Sequence, residues 1–180
     1  MSIKEPQMKS AKETIIESLL QLLANRNFDA VSVKDIVQQA EISRSTFYLH
    51  FTDKYQLMDE VRKSLNDQFL RFYTETSAVS PVTYQICQHI FFYRSFYSHE
   101  FSNAVAIHHL SNELAVRLHE VFNDQDYAIF ASYGTIGYLC AWVEDDFRSS
   151  PGEAAEKLMK IGFTDWTESI SFTRGEIRQK

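Results

Sequence analysis

The chain has little that would break, staple or anchor it. Three prolines, five glycines and two cysteines in 180 residues leave scant material for hairpin turns, phosphate-cradling loops or a flexible linker. An all-α chain is the first expectation. Cys87 and Cys140 lie far apart in apolar stretches, a spacing that suits neither a disulfide framework nor zinc ligation, so both read as reduced packing residues. No window approaches the roughly 18 to 20 uninterrupted apolar residues of a membrane span, and residues 1–12 hold no apolar signal core. The expected location is the cytoplasm, with no membrane partner.

Catalytic signatures are missing too. There is no glycine-rich phosphate loop, no nucleophile elbow and no pair of metal-binding histidines at helical spacing. His108 and His109 are adjacent, so their side chains diverge by about 100° around a helix and cannot grip one ion together. No enzymatic activity, metal or cofactor is expected. Positive charge is also scarce: 18 Lys and Arg face 24 Asp and Glu, a net charge of −6, which argues against a protein that coats nucleic acid without selectivity. The deficit is uneven. Residues 1–54 hold seven basic and seven acidic side chains, and the remainder holds 11 against 17.

What the sequence does have is helical periodicity. Ile15, Ile16, Leu19, Leu20, Leu22 and Leu23 recur at three-and-four spacing, predicting an amphipathic helix over about 9–25. Ser32 and Asp35 supply caps for a short helix over about 33–40 that buries Ile36, Val37 and Ala40. Ser43 caps a third, over about 44–51, and only about three residues separate the two, so they must cross steeply, as in a helix-turn-helix. Thr52 or Asp53 caps a fourth helix running to about residue 76, long enough to leave the first unit and enter a second. Further helices are predicted over about 82–99, 101–123, 126–148 and 151–171. The punctuation between them is Ser80-Pro81, the run from Asn123 to Asp126, and Ser150-Pro151-Gly152-Glu153.

Residues 28–54 read Phe-Asp-Ala-Val-Ser-Val-Lys-Asp-Ile-Val-Gln-Gln-Ala-Glu-Ile-Ser-Arg-Ser-Thr-Phe-Tyr-Leu-His-Phe-Thr-Asp-Lys. This stretch resembles the DNA-binding signature of the TetR family of bacterial transcriptional regulators, most closely in the apolar anchors, in Ser32, and in the run Thr46-Phe47-Tyr48-x-His50-Phe51-x-x-Lys54. Two positions depart from it. Glu41 and Asn27 stand where glycine is common, and both positions can need a left-handed backbone. A second stretch, Gly134-x-x-Gly137-x-x-x-x-Trp142 followed by Ser150-Pro-x-Glu153, is similar to TetR-type regulators common in Firmicutes.

A recognition helix needs short or forked polar side chains at its N-terminal end, because that end meets base edges in the major groove. Arg44, Ser45 and Thr46 fit. Arg44 suits bidentate pairing with a guanine, and Ser45 and Thr46 suit hydrogen-bonding edges or a thymine methyl. Phe47 and Phe51 share one face, assigned to the core against Ile36, Val37 and Leu23. The resemblance implies phosphate contacts from Tyr48, His50 and Lys54 and a DNA-facing Lys34; Ser43 and Leu49 complete the DNA-binding set. The implied partner is double-stranded DNA with a palindromic operator.

The acidic remainder is rich in Phe, Tyr and Trp between residues 82 and 147. These rings either fill a helical core or line an effector cavity. For the second reading the candidate pocket residues are Phe92, Arg94, Phe96, His108, Tyr133 and Trp142. Gly134 and Gly137 interrupt an apolar helix, where glycine usually marks the close approach of another helix. The resemblance implies a homodimer built from the last two long helices, with Tyr138, Trp142, Leu158, Ile161 and Trp166 as candidate interface residues; burial within one subunit is the alternative for each.

The expected architecture is therefore a three-helix DNA-binding domain over residues 1–54 and a larger helical effector-binding and dimerisation domain over 55–180. The expected function is sequence-specific transcriptional regulation, as a repressor released from its operator by a small-molecule effector. The alternative is a regulator without a small-molecule ligand whose larger domain binds a partner protein, as an activator would.

Overall fold

The structure, a computed structural model, describes residues 9–74 and 81–162, and all regular elements among them are helical. In chain order they are α1 (Ala11–Leu23), a 3₁₀ turn (Phe28–Ala30), α2 (Val33–Gln39), α3 (Arg44–His50), α4 (Lys54–Arg71), α5 (Val82–Phe92), α6 (Arg94–Glu100), α7 (Ala104–Phe122), α8 (Gln125–Glu144) and α9 (Pro151–Gly162).

Capping residues set most of the starts. Ser32 accepts from the Asp35 amide while the Asp35 carboxylate accepts from the Ser32 amide, a closed capping box. The same reciprocal pair opens α1 at Ser10 and Glu13 and α9 at Ser150 and Glu153. Asp53 accepts from the amides of Tyr55 and Gln56 at the start of α4, and Asp124 from Tyr127 at the start of α8.

The four N-terminal helices share one apolar cluster with the rest of the molecule, running from Ile15 and Leu19 through Leu57, Val61 and Phe69 to Ile136 and Leu139. Helix α4 is the common member. Its first turns bear on the N-terminal unit, where Glu60 pairs with Lys12 of α1, and its far end reaches α5, where Phe72 meets His89 edge-on at 5.6 Å. In the larger part α7 lies along α8 and α5 along α9.

Three boundaries differ from the periodicity. The helix expected over 82–99 is broken at Tyr93, whose backbone (φ −99°, ψ 30°) ends α5 and begins α6. The bend brings the Tyr97 hydroxyl within 2.8 Å of His89 Nε2; in a straight helix eight positions span about 12 Å. Helix α7 begins at Ala104, not 101, because the Asn103 side chain accepts from the amides of Val105 and Ala106. Helix α8 stops at Glu144, not 148, because Asp146 and Phe147 are left-handed (φ 53° and 55°) and fold the Phe147 ring back onto Trp142 and Phe91, with centroids 5.0 and 5.5 Å apart. The expected extensions of α4 to 76 and α9 to 171 run outside the described residues.

Glu41 has φ 54°, the left-handed turn foreseen at that position, at a cost of about 1–2 kcal/mol for a residue with a Cβ. Asn27 does not share it: it enters the 3₁₀ turn from an extended conformation (φ −61°, ψ 142°).

Candidate nucleic-acid interface

Helix α3 is only seven residues long, and its two faces are sharply divided. Phe47 is wholly buried and Phe51 nearly so, with their rings 5.8 Å apart, and α3 rests on both α1 and α2. These two rings fix the helix to the N-terminal core, as the four-residue spacing required. Arg44, Ser45, Tyr48, Leu49 and His50 are all exposed, Ser45 and Leu49 on the side opposite the two rings. Tyr48 and Leu49 are 55% and 82% exposed, the Tyr48 ring meeting Phe47 edge-on at 5.4 Å.

At the start of α3 three hydroxyls gather. Ser43 Oγ accepts from the Thr46 amide at 3.0 Å and lies 2.8 Å from Thr46 Oγ1 and 2.7 Å from Ser45 Oγ. A hydroxyl both donates and accepts, so this cluster can turn its hydrogens toward either kind of base edge. Arg44 stands beside it and is exposed. Lys34 is exposed in the first turn of α2. Its neighbour Asp35 is held far below the usual carboxylate range by its hydrogen bonds with Ser32 and with Arg26, which favours the anionic cap.

Lys54 differs from its expected outward placement. Its ammonium donates to the carbonyls of Phe28, Asp29 and Val31 at 3.0, 3.2 and 2.8 Å and lies 4.6 Å from the Phe28 ring centroid. An ammonium has three protons, and all three are taken by the loop that leads into α2. The lysine ties that loop to the first turn of α4. Sequence spacing gave no sign of this, because the partners are backbone atoms some 25 positions upstream.

The expected pocket residues do not converge. Phe96 is fully buried in the core and Trp142 is 5% exposed, its indole N–H donating to the Ser149 carbonyl at 2.9 Å. His108 and Tyr133 lie on the outer surface of α7 and α8, joined through the Tyr133 hydroxyl at 2.8 Å. Only Phe92 and Arg94 line clefts. One is an open groove walled by Phe72, Tyr84, Phe91, Tyr93 and the start of α9; the other runs between α1 and α4. His89, on the first groove's floor, is buried among Phe72, Tyr93 and Tyr97, and burial pushes its pKa down to about 4, leaving a neutral ring.

The expected interface residues also divide. Trp142 and Leu158 are buried inside the single chain, and the Tyr138 hydroxyl donates to the Ala154 carbonyl at 3.0 Å, joining α8 to α9 within one subunit. Ile161 is 42% exposed. Trp166 lies outside the described residues. The periodicity could not separate these cases, because α8 is apolar around its whole circumference. Its outward stripe bears Phe130, Tyr133, Gly134 and Gly137, all exposed.

Cys87 and Cys140 are free and buried, and burial pushes their thiols up to about 12 and about 11. Among the described residues no three His, Cys, Asp or Glu side chains are placed to hold a metal ion, and no helix is long and apolar enough to cross a membrane.

Comparison with known proteins places this geometry. Residues 15–61 match the bacterial regulatory proteins of the tetR family, a span that holds α2, α3 and the first turns of α4. An uncharacterized HTH-type transcriptional regulator of Bacillus subtilis, YxbF, is 23% identical over 171 residues, covering 85% of this chain. The match reaches across only 45% of that protein, so the chain spans less than half the length of this relative. Among solved structures, a transcriptional regulator from Aquifex aeolicus superposes with a TM-score of 0.68 at 19% identity, over 86% of this chain and 100% of that one. The dihydroxyacetone kinase operon activator DhaS superposes with a TM-score of 0.62 at 17% identity, over 84% and 93%. The fold of the whole described chain is the one these regulators share.

Proposed function

We propose, from the premise that residues 15–61 are a helix-turn-helix domain of the tetR family, that this chain is a homodimeric, sequence-specific transcriptional regulator that meets a palindromic operator in the cytoplasm. The observation that carries the reading is the division of α3: two phenylalanines lock one face to the core, and the other presents a guanidinium and a cluster of hydroxyls to solvent. That surface has the donors and acceptors to read major-groove edges, where the four base pairs are distinguishable. Arg44, Ser45 and Thr46 meet bases; Ser43, Tyr48, His50 and Lys34 contact the backbone and set the register.

Two copies related by a two-fold axis would place their α3 helices about 34–36 Å apart, one turn of DNA. The outward stripe of α8 supports pairing, because among the described residues Phe130 and Tyr133 stay exposed on it. The reading includes a small-molecule effector, and the aromatic groove beside Arg94 is the surface that favours it: Phe72, the residue that ends α4, forms part of its wall, and α4 continues to the N-terminal unit. A ligand that preferred one setting of α4 would shift the spacing of the two α3 helices.

A second reading has the larger domain bind a partner protein and activate transcription. The fold of an operon activator, shared here, favours it, since the architecture serves activators as well as repressors.

The test is selection of bound fragments from sheared DNA of the source genome, at two salt concentrations, with Arg44→Ala in parallel. Enrichment of a palindrome by the wild type, weakened by about 1–3 kcal/mol per contact in the variant, is expected. Equal enrichment by both proteins would remove α3 from the role of reader. Small molecules that dissolve the complex would favour the repressor reading over the activator one.

A further inference from the structure

Among the described residues the most exposed large apolar side chain is Leu49, at 82%. Single exposed leucines are ordinary on protein surfaces, but this one stands on the outer face of α3. Ser45 precedes it by one helical turn and so lies on the same side, with Tyr48 beside it. The inward positions are filled by Phe47 and Phe51, so Leu49 takes no part in holding the helix. It faces what α3 faces.

We propose that Leu49 is a specificity-determining residue that reads the C5-methyl group of a thymine in each half of the operator. The inference rests on the operator-binding reading above and adds to it a contact that carries no hydrogen bond. An isobutyl group has neither donor nor acceptor, so it gains nothing from the N7, O6, N4, N6 or O4 atoms that line the major groove. Placed against a guanine or cytosine edge it would strip water from those atoms and return no partner. The thymine methyl is the one apolar feature of that groove. The hydroxyl cluster at the start of α3 and the guanidinium of Arg44 then select polar edges, while Leu49, nearer the helix C-terminus, selects a methyl further along the same half-site.

The experiment uses the full-length protein and the palindrome recovered by genomic selection. Each thymine of the half-site is replaced in turn by deoxyuridine, symmetrically in both halves, which removes the methyl and leaves every hydrogen-bonding atom in place. Affinities are measured for the wild type and for Leu49→Ala, whose thermal melting is compared first; the site is exposed and alanine is the better helix former, so the fold is retained. Burial of one methyl corresponds to about a three- to five-fold effect, hence about ten- to twenty-fold for two half-sites. The expected result is that loss at one thymine position for the wild type, with Leu49→Ala binding thymine and uracil duplexes equally there. No loss at any thymine, a half-site without thymine, or a variant that still prefers the methyl would overturn the proposal while leaving the regulator reading intact. Failure of the wild type to enrich any palindrome would overturn both, and is recognised before a single base is exchanged.

Discussion

Lys54 and His89 show how far a side chain's role depends on which atoms surround it. A lysine on the DNA surface would neutralise a phosphate and release a counterion; Lys54 spends its three protons on carbonyls of the 28–31 loop. Lys54→Met keeps the aliphatic stem and removes the donors, so three carbonyls lose a charged partner. We expect a destabilisation of about 1–3 kcal/mol in urea denaturation, with no change in the slope of log K against log salt. Lys34→Ala should do the reverse, lowering that slope by about one per protomer at unchanged stability. A Lys54→Met variant of normal stability and shallower slope would restore the phosphate-facing assignment.

His89 gives a pH dependence with a definite sign. Desolvation lowers its pKa from the ordinary 6.5 to about 4, so between those values the unfolded chain takes up a proton that the native protein refuses. Stability is complete above about pH 6.5 and falls as pH drops toward 4, by on the order of 3 kcal/mol from this group. The carboxylates of Glu13, Glu60 and Glu153, held low by Ser10, Lys12 and Ser150, lose their contribution further into acid. Denaturation midpoints across pH 5–7 should therefore slope for the wild type and flatten for His89→Gln; identical slopes would show that the ring is solvated in the native state.

At the scale of elements, helix α6 is tied to α4 by one ion pair. Arg62 donates from Nε and a terminal nitrogen to the two oxygens of Glu100 at 2.6 and 3.0 Å, and Glu100 is only 5% exposed. The neighbouring His99 ring lies 5.4 Å from Phe28, so α6 touches the N-terminal unit directly. Glu100→Ala leaves the guanidinium facing a cavity, although Asp59 and partial exposure of Arg62 remain. A loss of about 1–3 kcal/mol in urea unfolding is expected, and a change within error would mean that the pair is solvated and the α4–α6 contact is held by apolar packing alone. None of this was legible beforehand. Capped helix starts were, because Ser32, Ser43, Asp53 and Ser150 act on amides two or three positions away and leave a local signature. The bend at Tyr93 was not, because its apolar spacing runs on unbroken from Ile86 to Phe101. The His89–Tyr97 hydrogen bond that accompanies it exists only once the chain is bent. The same limit explains the scattered pocket residues: aromatic content is visible in a sequence, but the side of a helix on which each ring emerges depends on neighbours contributed by other helices.

At the scale of the whole molecule the open question is what covers α8. Gly134 and Gly137 are positions where the sequence predicts a close helix approach, yet a Cβ at either would meet no atom of the described residues within 4 Å. Glycine in mid-helix costs about 1 kcal/mol relative to alanine, a cost for which the described residues show no return. Phe130 and Ile129, 66% and 44% exposed, continue the same unpaired surface. A second copy of the chain meeting this stripe across a two-fold axis would make sense of the glycines, and Gly137→Lys tests it. Within one subunit the substitution adds a side chain to open space and improves helix propensity, so secondary structure should be unchanged. Across a two-fold axis it brings two stems and two like charges to the point of closest approach. Sedimentation equilibrium should then show a wild-type dimer and a variant monomer at micromolar concentration, with operator affinity lost in the variant although α3 is untouched. A variant that remained dimeric and bound DNA normally would move the interface off this stripe, leaving the exposed part of α9 around Met159 and Ile161 as the next surface to alter.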